Sequence, residues 1–161
     1  NGHTKQDILN AEQTAQDQGQ KVLVGWNALL LESNLNIPRQ GKGKTIGDRK
    51  QLEANLMPEE YLKKLQIDPQ YRYEQGLTNE DWLVLLLTNL EQTDQVIDDF
   101  HGNGRITYLL GSYLPASRSL GGGCWNRDYR QATFHGCDPG TRHDYVGLRS
   151  AVGLQQKLEF S

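Results

Sequence analysis

The feature that most constrains the fold is a change of texture near Gln95. Before it, Lys, Glu and Leu recur at helical spacing. After it, Gly, Ser, Tyr and Arg dominate, and apolar residues alternate over short runs such as Arg105-Ile106-Thr107-Tyr108 and Tyr145 to Val152. A helical period giving way to a period of two predicts an α+β fold, with helices packed on a small, mainly antiparallel twisted sheet joined by long loops. The chain has 161 residues, within the range of one domain and long enough to bury a core without staples. With no internal repeat or linker, 1–161 reads as a single domain.

Local signals place the elements. Thr4 with Asp7, then Ile8, Leu9, Ala11 and Ala15, and Gly19 as a stop, predict a first helix. Lys21–Trp26 is β-prone, and Ala28–Leu31 is too short to assign by period. Residues 33–49 read as a loop. A second helical zone covers about 50–66, with Pro58 suited to a first helical position and Asp68-Pro69 ending it. Thr78, with Asp81 three residues on, opens a third helix through Trp82, Leu85, Leu86, Asn89 and Leu90. Gly121-Gly122-Gly123 and Asp138-Pro139-Gly140 read as turns between strands.

Several functions fall away on composition and motif. The formal charge of −3 and the pI near 5.8 argue against a general nucleic-acid binder, which needs clustered Lys and Arg. The apolar run Leu83–Leu87 is far short of the roughly 20 residues of a membrane span. No signal peptide is visible, and the opening Asn1-Gly2-His3, without Met, is expected of a trimmed chain. Gly43-Lys44-Thr45 matches the end of a phosphate-binding loop, but Pro38 stands where its first glycine belongs, and proline has no N–H to offer a phosphate. His101, His135, His143, Asp138 and Asp144 lack metal-ligand spacing. Asp94, Asp98 and Asp99 do not form a calcium loop, and they read as solvated polar residues. Cys124 and Cys137 lie 13 positions apart. They read as free, partly buried thiols, with one disulfide or a Cys/His nucleophile as the alternatives.

The chemically richest stretch is Cys124 to Tyr145, which mixes Tyr, Arg, His, Asp, Asn and Gly. Tyr supplies contact area at low rotamer cost, Arg supplies forked donors, and Asn and Gly adapt, as in loop-built binding surfaces. An ordinary polar loop is the alternative. A second pattern favours the binding surface. Lys, Glu and Met are absent from Gln92 to Gln156, where proportion alone would place about seven. Six arginines lie in the same window. Randomising the adenines of AAC codons yields NNC codons, which never encode Lys, Glu, Gln, Met or Trp. Within 118–148 only Trp125 and Gln131 need other codons.

Gly122-Gly123-Cys124-Trp125, then Arg130-Gln131-Ala132, Pro139 and Gly147-Leu148-Arg149-Ser150-Ala151-Val152 resemble the C-terminal pattern of formylglycine-generating-enzyme-like C-type lectin domains. The spacing and the adenine-type residue set look more specifically like the variable proteins of diversity-generating retroelements. The resemblance implies a C-type-lectin-like fold whose residues 118–149 form a variable ligand-binding region on a rigid frame. Trp125, Arg130, Pro139, Gly147 and Arg149 would be frame residues. The implied binding positions are Arg118, Cys124, Asn126, Arg127, Tyr129, His135, Gly136, Asp138, Arg142, His143, Asp144 and Tyr145. The implied ligand is a protein or other macromolecule, with no cofactor, metal or nucleic acid required. The enzyme members carry a closely spaced cysteine pair; the wide spacing here, and Cys124 in place of the usual serine, argue against that activity. Leu148 replaces the phenylalanine of Gly-Phe-Arg, a change a core strand absorbs. The other readings are a formylglycine-generating-type or other thiol enzyme, and a sugar-binding lectin or phage receptor-binding adhesin.

Overall fold

The structure, a computed structural model, describes residues 28–114 and 119–154. The helix expected over Thr4–Gly19, the β-prone run Lys21–Trp26 and the candidate binding residue Arg118 lie outside the described residues. Within them the chain is a mixed α+β fold: β1 (Ala28–Leu31), a small hairpin of β2 (Thr45–Ile46) and β3 (Arg49–Lys50), helix α1 (Pro58–Ile67), a 3-10 turn (Pro69–Tyr71), β4 (Glu74–Gly76), helix α2 (Asn79–Thr93), then β5 (Ile106–Leu114), β6 (Ser119–Asn126), β7 (Gln131–Cys137), β8 (Val146–Leu148) and β9 (Ser150–Leu154). No helix among the described residues is long and apolar enough to cross a membrane.

Both helices begin where local chemistry directs. Thr78 Oγ1 accepts from Asp81 N at 3.1 Å while the Asp81 carboxylate accepts from Thr78 N at 2.9 Å, a reciprocal cap that satisfies two orphan donors. Helix α1 starts only at Pro58, so the expected helical zone over 50–66 loses its first turns. Gln51, Leu52 and Ala54 are instead buried in irregular backbone that bends at Ala54. The loop over 33–49 carries one addition, the hairpin turned by Gly47 at φ 61°.

Two sheets organise the rest. The larger has the order β7-β6-β5-β8, and the smaller β1-β9-β4. All pairings are antiparallel except β5 with β8. Alternate residues of the larger sheet enter two cores, as a period of two requires. Tyr108 and Cys124 pack with Tyr61 and Leu65 of α1, whereas Leu109 and Trp125 pack with Trp82 and Leu86 of α2.

The glycine triplet corrects the sequence reading: Gly121-Gly122-Gly123 is the middle of β6, not a turn. A Cβ on Gly123 would sit 3.1 Å from the Trp82 indole, and one on Gly122 would sit 2.6 Å from Cys137 Sγ and 2.9 Å from His135 Nε2. The strand is stripped of side chains because large neighbours occupy the space on both of its faces. The run Tyr145–Val152 is also two strands rather than one. At Arg149 the backbone N–H donates to Thr107 Oγ1 at 3.1 Å, and the chain passes from the larger sheet into the smaller one.

Candidate functional site

The segment of interest hangs from a buried ion pair. Asp98 closely follows α2 and has a left-handed backbone, with φ 50°. Its carboxylate accepts from Arg149 Nε and Nη2, each at 2.9 Å, in a forked pair, and from Trp82 Nε1 at 2.9 Å. Arg149 Nη2 also donates to Leu35 O at 2.7 Å. The Asp98 backbone donates to Leu35 O and accepts from Trp125 N. One residue thus joins α2, β6, the 32–38 loop and the junction of the two sheets. A charge pair this deep is stable only when further hydrogen bonds support it, and here Trp82 and Leu35 provide them. The expectation of a solvated acidic run fails at Asp98, which is completely buried, and at Asp99, which is only 8% exposed.

In front of this frame, a chain of side chains crosses from the β6–β7 turn to the loop before β8. Asp128 pairs with His101 Nδ1. His101 lies against Phe100 at 4.8 Å between ring centroids, Phe100 against Tyr145 at 5.4 Å, and Tyr145 against His143 at 5.0 Å. Arg127 Nε donates to Asp99 Oδ2 at 3.0 Å. Hydrogen bonding to Asp99 raises the Arg127 pKa above its ordinary value. Tyr129 projects from the turn and is 74% exposed.

The sequence-predicted binding positions divide into three groups. Tyr129, Gly136, Asp144 and Tyr145 are exposed, and His143 and His135 are half-buried. Others are tied to the fold: Asn126 Oδ1 accepts from the Asp128 and Tyr129 amides at 3.0 and 3.3 Å. Asp138 organises its own turn through Gly140 N and Thr141 Oγ1. Arg142 Nη2 donates to both carboxylate oxygens of Glu60 in α1 at 2.7 and 2.9 Å. Cys124 leaves the set altogether, because its side chain lies in the core and faces no ligand. Among the frame residues, Gly147 and Arg149 are buried and Trp125 is half-buried against the α2 core. Arg130 is exposed in a left-handed turn conformation with φ 51°, so it holds no core together. Sequence reasoning missed Asp99 and Phe100 as members of the face, and weighed His101 only as a metal ligand. They follow α2 in sequence and meet residues 126–145 only through folding.

The chemistry available here is limited. Cys124 and Cys137 are free, and burial pushes each thiol up to about 11, leaving little of the reactive thiolate at neutral pH. Burial lowers the His135 pKa and favours its neutral form. Among the described residues no group of three or more His, Cys, Asp or Glu side chains is arranged to hold a metal ion. The basic loop is occupied from within: Gly41 N and Gly43 N donate to the Glu53 carboxylate at 2.9 and 2.8 Å. Burial pushes the Glu53 pKa up, but these amides and Lys50 outweigh it and hold the pKa below its ordinary value. No family model, curated protein or solved structure matches the chain.

Proposed function

We propose that this chain is a non-enzymatic ligand-binding protein with a C-type-lectin-like scaffold, whose C-terminal region displays exchangeable side chains in the manner of a retroelement-diversified variable protein. The observation that carries the reading is the separation of roles within 118–149. Backbone position is held from behind by Arg149, Asp98 and Trp82, while Tyr129, Asp144 and Tyr145 are exposed. A surface held in this way changes its contacts without a new ordering cost. Exposed Tyr beside Arg and His is also the composition of binding hot spots. The buried, protonated thiols weigh against the thiol-enzyme alternative.

The test is a library with NNC codons at Tyr129, Gly136, His143, Asp144 and Tyr145. Most members should unfold cooperatively near the parent midpoint, and selection against unrelated proteins should yield specific binders. Loss of cooperative unfolding in most members, or failure to obtain any binder, overturns the proposal.

A further inference from the structure

A cleft of about 440 Å³ opens beside this face, lined by Arg39, Gln40, Asn55, Arg105, Asp144 and Tyr145. Its walls are fixed. Asn55 N donates to Val146 O at 3.0 Å, Ile106 N to Tyr145 O at 3.0 Å, and Asn55 Nδ2 to Gln40 Oε1 at 2.7 Å. Arg105 is 93% buried, being only 7% exposed. Among the described residues, its side chain makes one hydrogen bond, from Nη1 to the neighbouring Gly104 O at 2.7 Å, and its buried Nε has no partner. No ion pair among the described residues includes Arg105, Arg39 or Asp144. The other buried arginine, Arg149, donates through Nε and Nη2 to Asp98 and through Nη2 to Leu35 O, so the unpartnered Nε sets Arg105 apart from it.

We infer that the cleft is a binding site for a carboxylate, with Arg105 as its deep anchor and Arg39 at its mouth. A buried guanidinium with idle donors favours a planar anion that takes two parallel hydrogen bonds. Asp144 on the rim sets the charge class. Two arginines against one carboxylate leave a single net positive charge; a monoanion neutralises it, whereas a phosphate dianion leaves one negative charge uncompensated and costs more to desolvate. The inference goes beyond the binding reading: its anchor residues Arg39, Gln40, Asn55 and Arg105 lie outside the exchangeable positions, whereas Asp144 and Tyr145 on the rim are shared with the exchangeable face.

The probes are acetate, N-acetyl-aspartate N-methylamide and inorganic phosphate, titrated at constant ionic strength into the full chain while the Arg105 Nε–Hε resonance is followed. Both carboxylates should shift it saturably and more tightly than phosphate. Tighter binding by acetate than by the aspartate derivative assigns the cleft to free small carboxylates, and the reverse assigns it to peptide-borne ones; the site stands in either case. Arg105→Gln should weaken binding about tenfold or more, the scale of a lost charge-assisted pair. Should that variant not fold, the exposed Arg39→Ala should weaken binding and Asp144→Asn should tighten it, both without moving the melting midpoint. Absence of a saturable shift, tighter binding of phosphate than of either carboxylate, or unchanged affinity in both Arg39→Ala and Asp144→Asn overturns the inference.

Discussion

Asp98 and Asp99 are neighbours in the chain, and each pairs with an arginine from the C-terminal third, yet the two pairs have opposite characters. The Asp98–Arg149 side chains are 0% and 6% exposed, with Trp82 and Leu35 completing the set. The Asp99–Arg127 side chains are 12% and 62% exposed, and the arginine sits in a surface turn. The same ion-pair chemistry therefore serves as a structural fastener at one residue and as a surface contact at the next. Asp98 gives its carboxylate to Arg149 and Trp82, while Asp99, itself largely buried, gives its own to the exposed Arg127. The boundary between frame and face thus runs between adjacent residues.

Breaking the inner pair should give the largest effect. Arg149→Ala strands the wholly buried Asp98 carboxylate and should cost about 3–5 kcal/mol in denaturant unfolding. Replacing both partners with apolar residues should recover part of that loss; if the double variant is no better than the single one, the cost lies in packing rather than in the stranded charge. Gly123→Val should follow, at about 1–3 kcal/mol, because its side chain meets the Trp82 indole. Trp82→Phe removes one donor to Asp98 and shrinks a fully buried ring, and should cost about 1–3 kcal/mol in the same assay.

A smaller effect comes from His135. Its folded pKa lies below the ordinary 6.5 because burial disfavours the imidazolium. The unfolded chain therefore binds the proton first as pH falls. The stability linked to His135 is complete above about pH 6.5 and is lost as pH drops toward the folded pKa. Melting midpoints from about pH 7 to about pH 5 should fall less steeply in His135→Gln. The smallest effect is expected at the outer pair: Arg127→Ala should leave the melting midpoint close to that of the parent. A large drop there would erase the distinction between the two pairs.

What the sequence revealed followed the range of the interactions. The start of α2 at Thr78 was legible because Thr78 and Asp81 cap each other three residues apart. The end of α1 at Asp68-Pro69 was legible for the same local reason. The glycines of β6 misled, because the neighbours that exclude side chains there, Trp82, His135 and Cys137, are set by tertiary packing. Asp98 looked like one acid in a solvated run, since nothing nearby in the chain announces that Arg149 will reach it. The codon pattern at Cys124 carries information about how a position can vary and none about burial, so it nominated a core residue for the binding face. Arg149 was assigned to the frame through resemblance alone, without its partner.

The hand-over at Arg149 has a mechanical consequence. β8 and β9 are consecutive strands separated by a single residue, yet each is hydrogen-bonded into a different sheet. Tension applied to one sheet passes through that residue to the other, with no slack to absorb it. The protein has no obvious hinge there at which one half could open while the other stays shut. Amide protons of β5 and β9 should therefore exchange with solvent through one shared opening event.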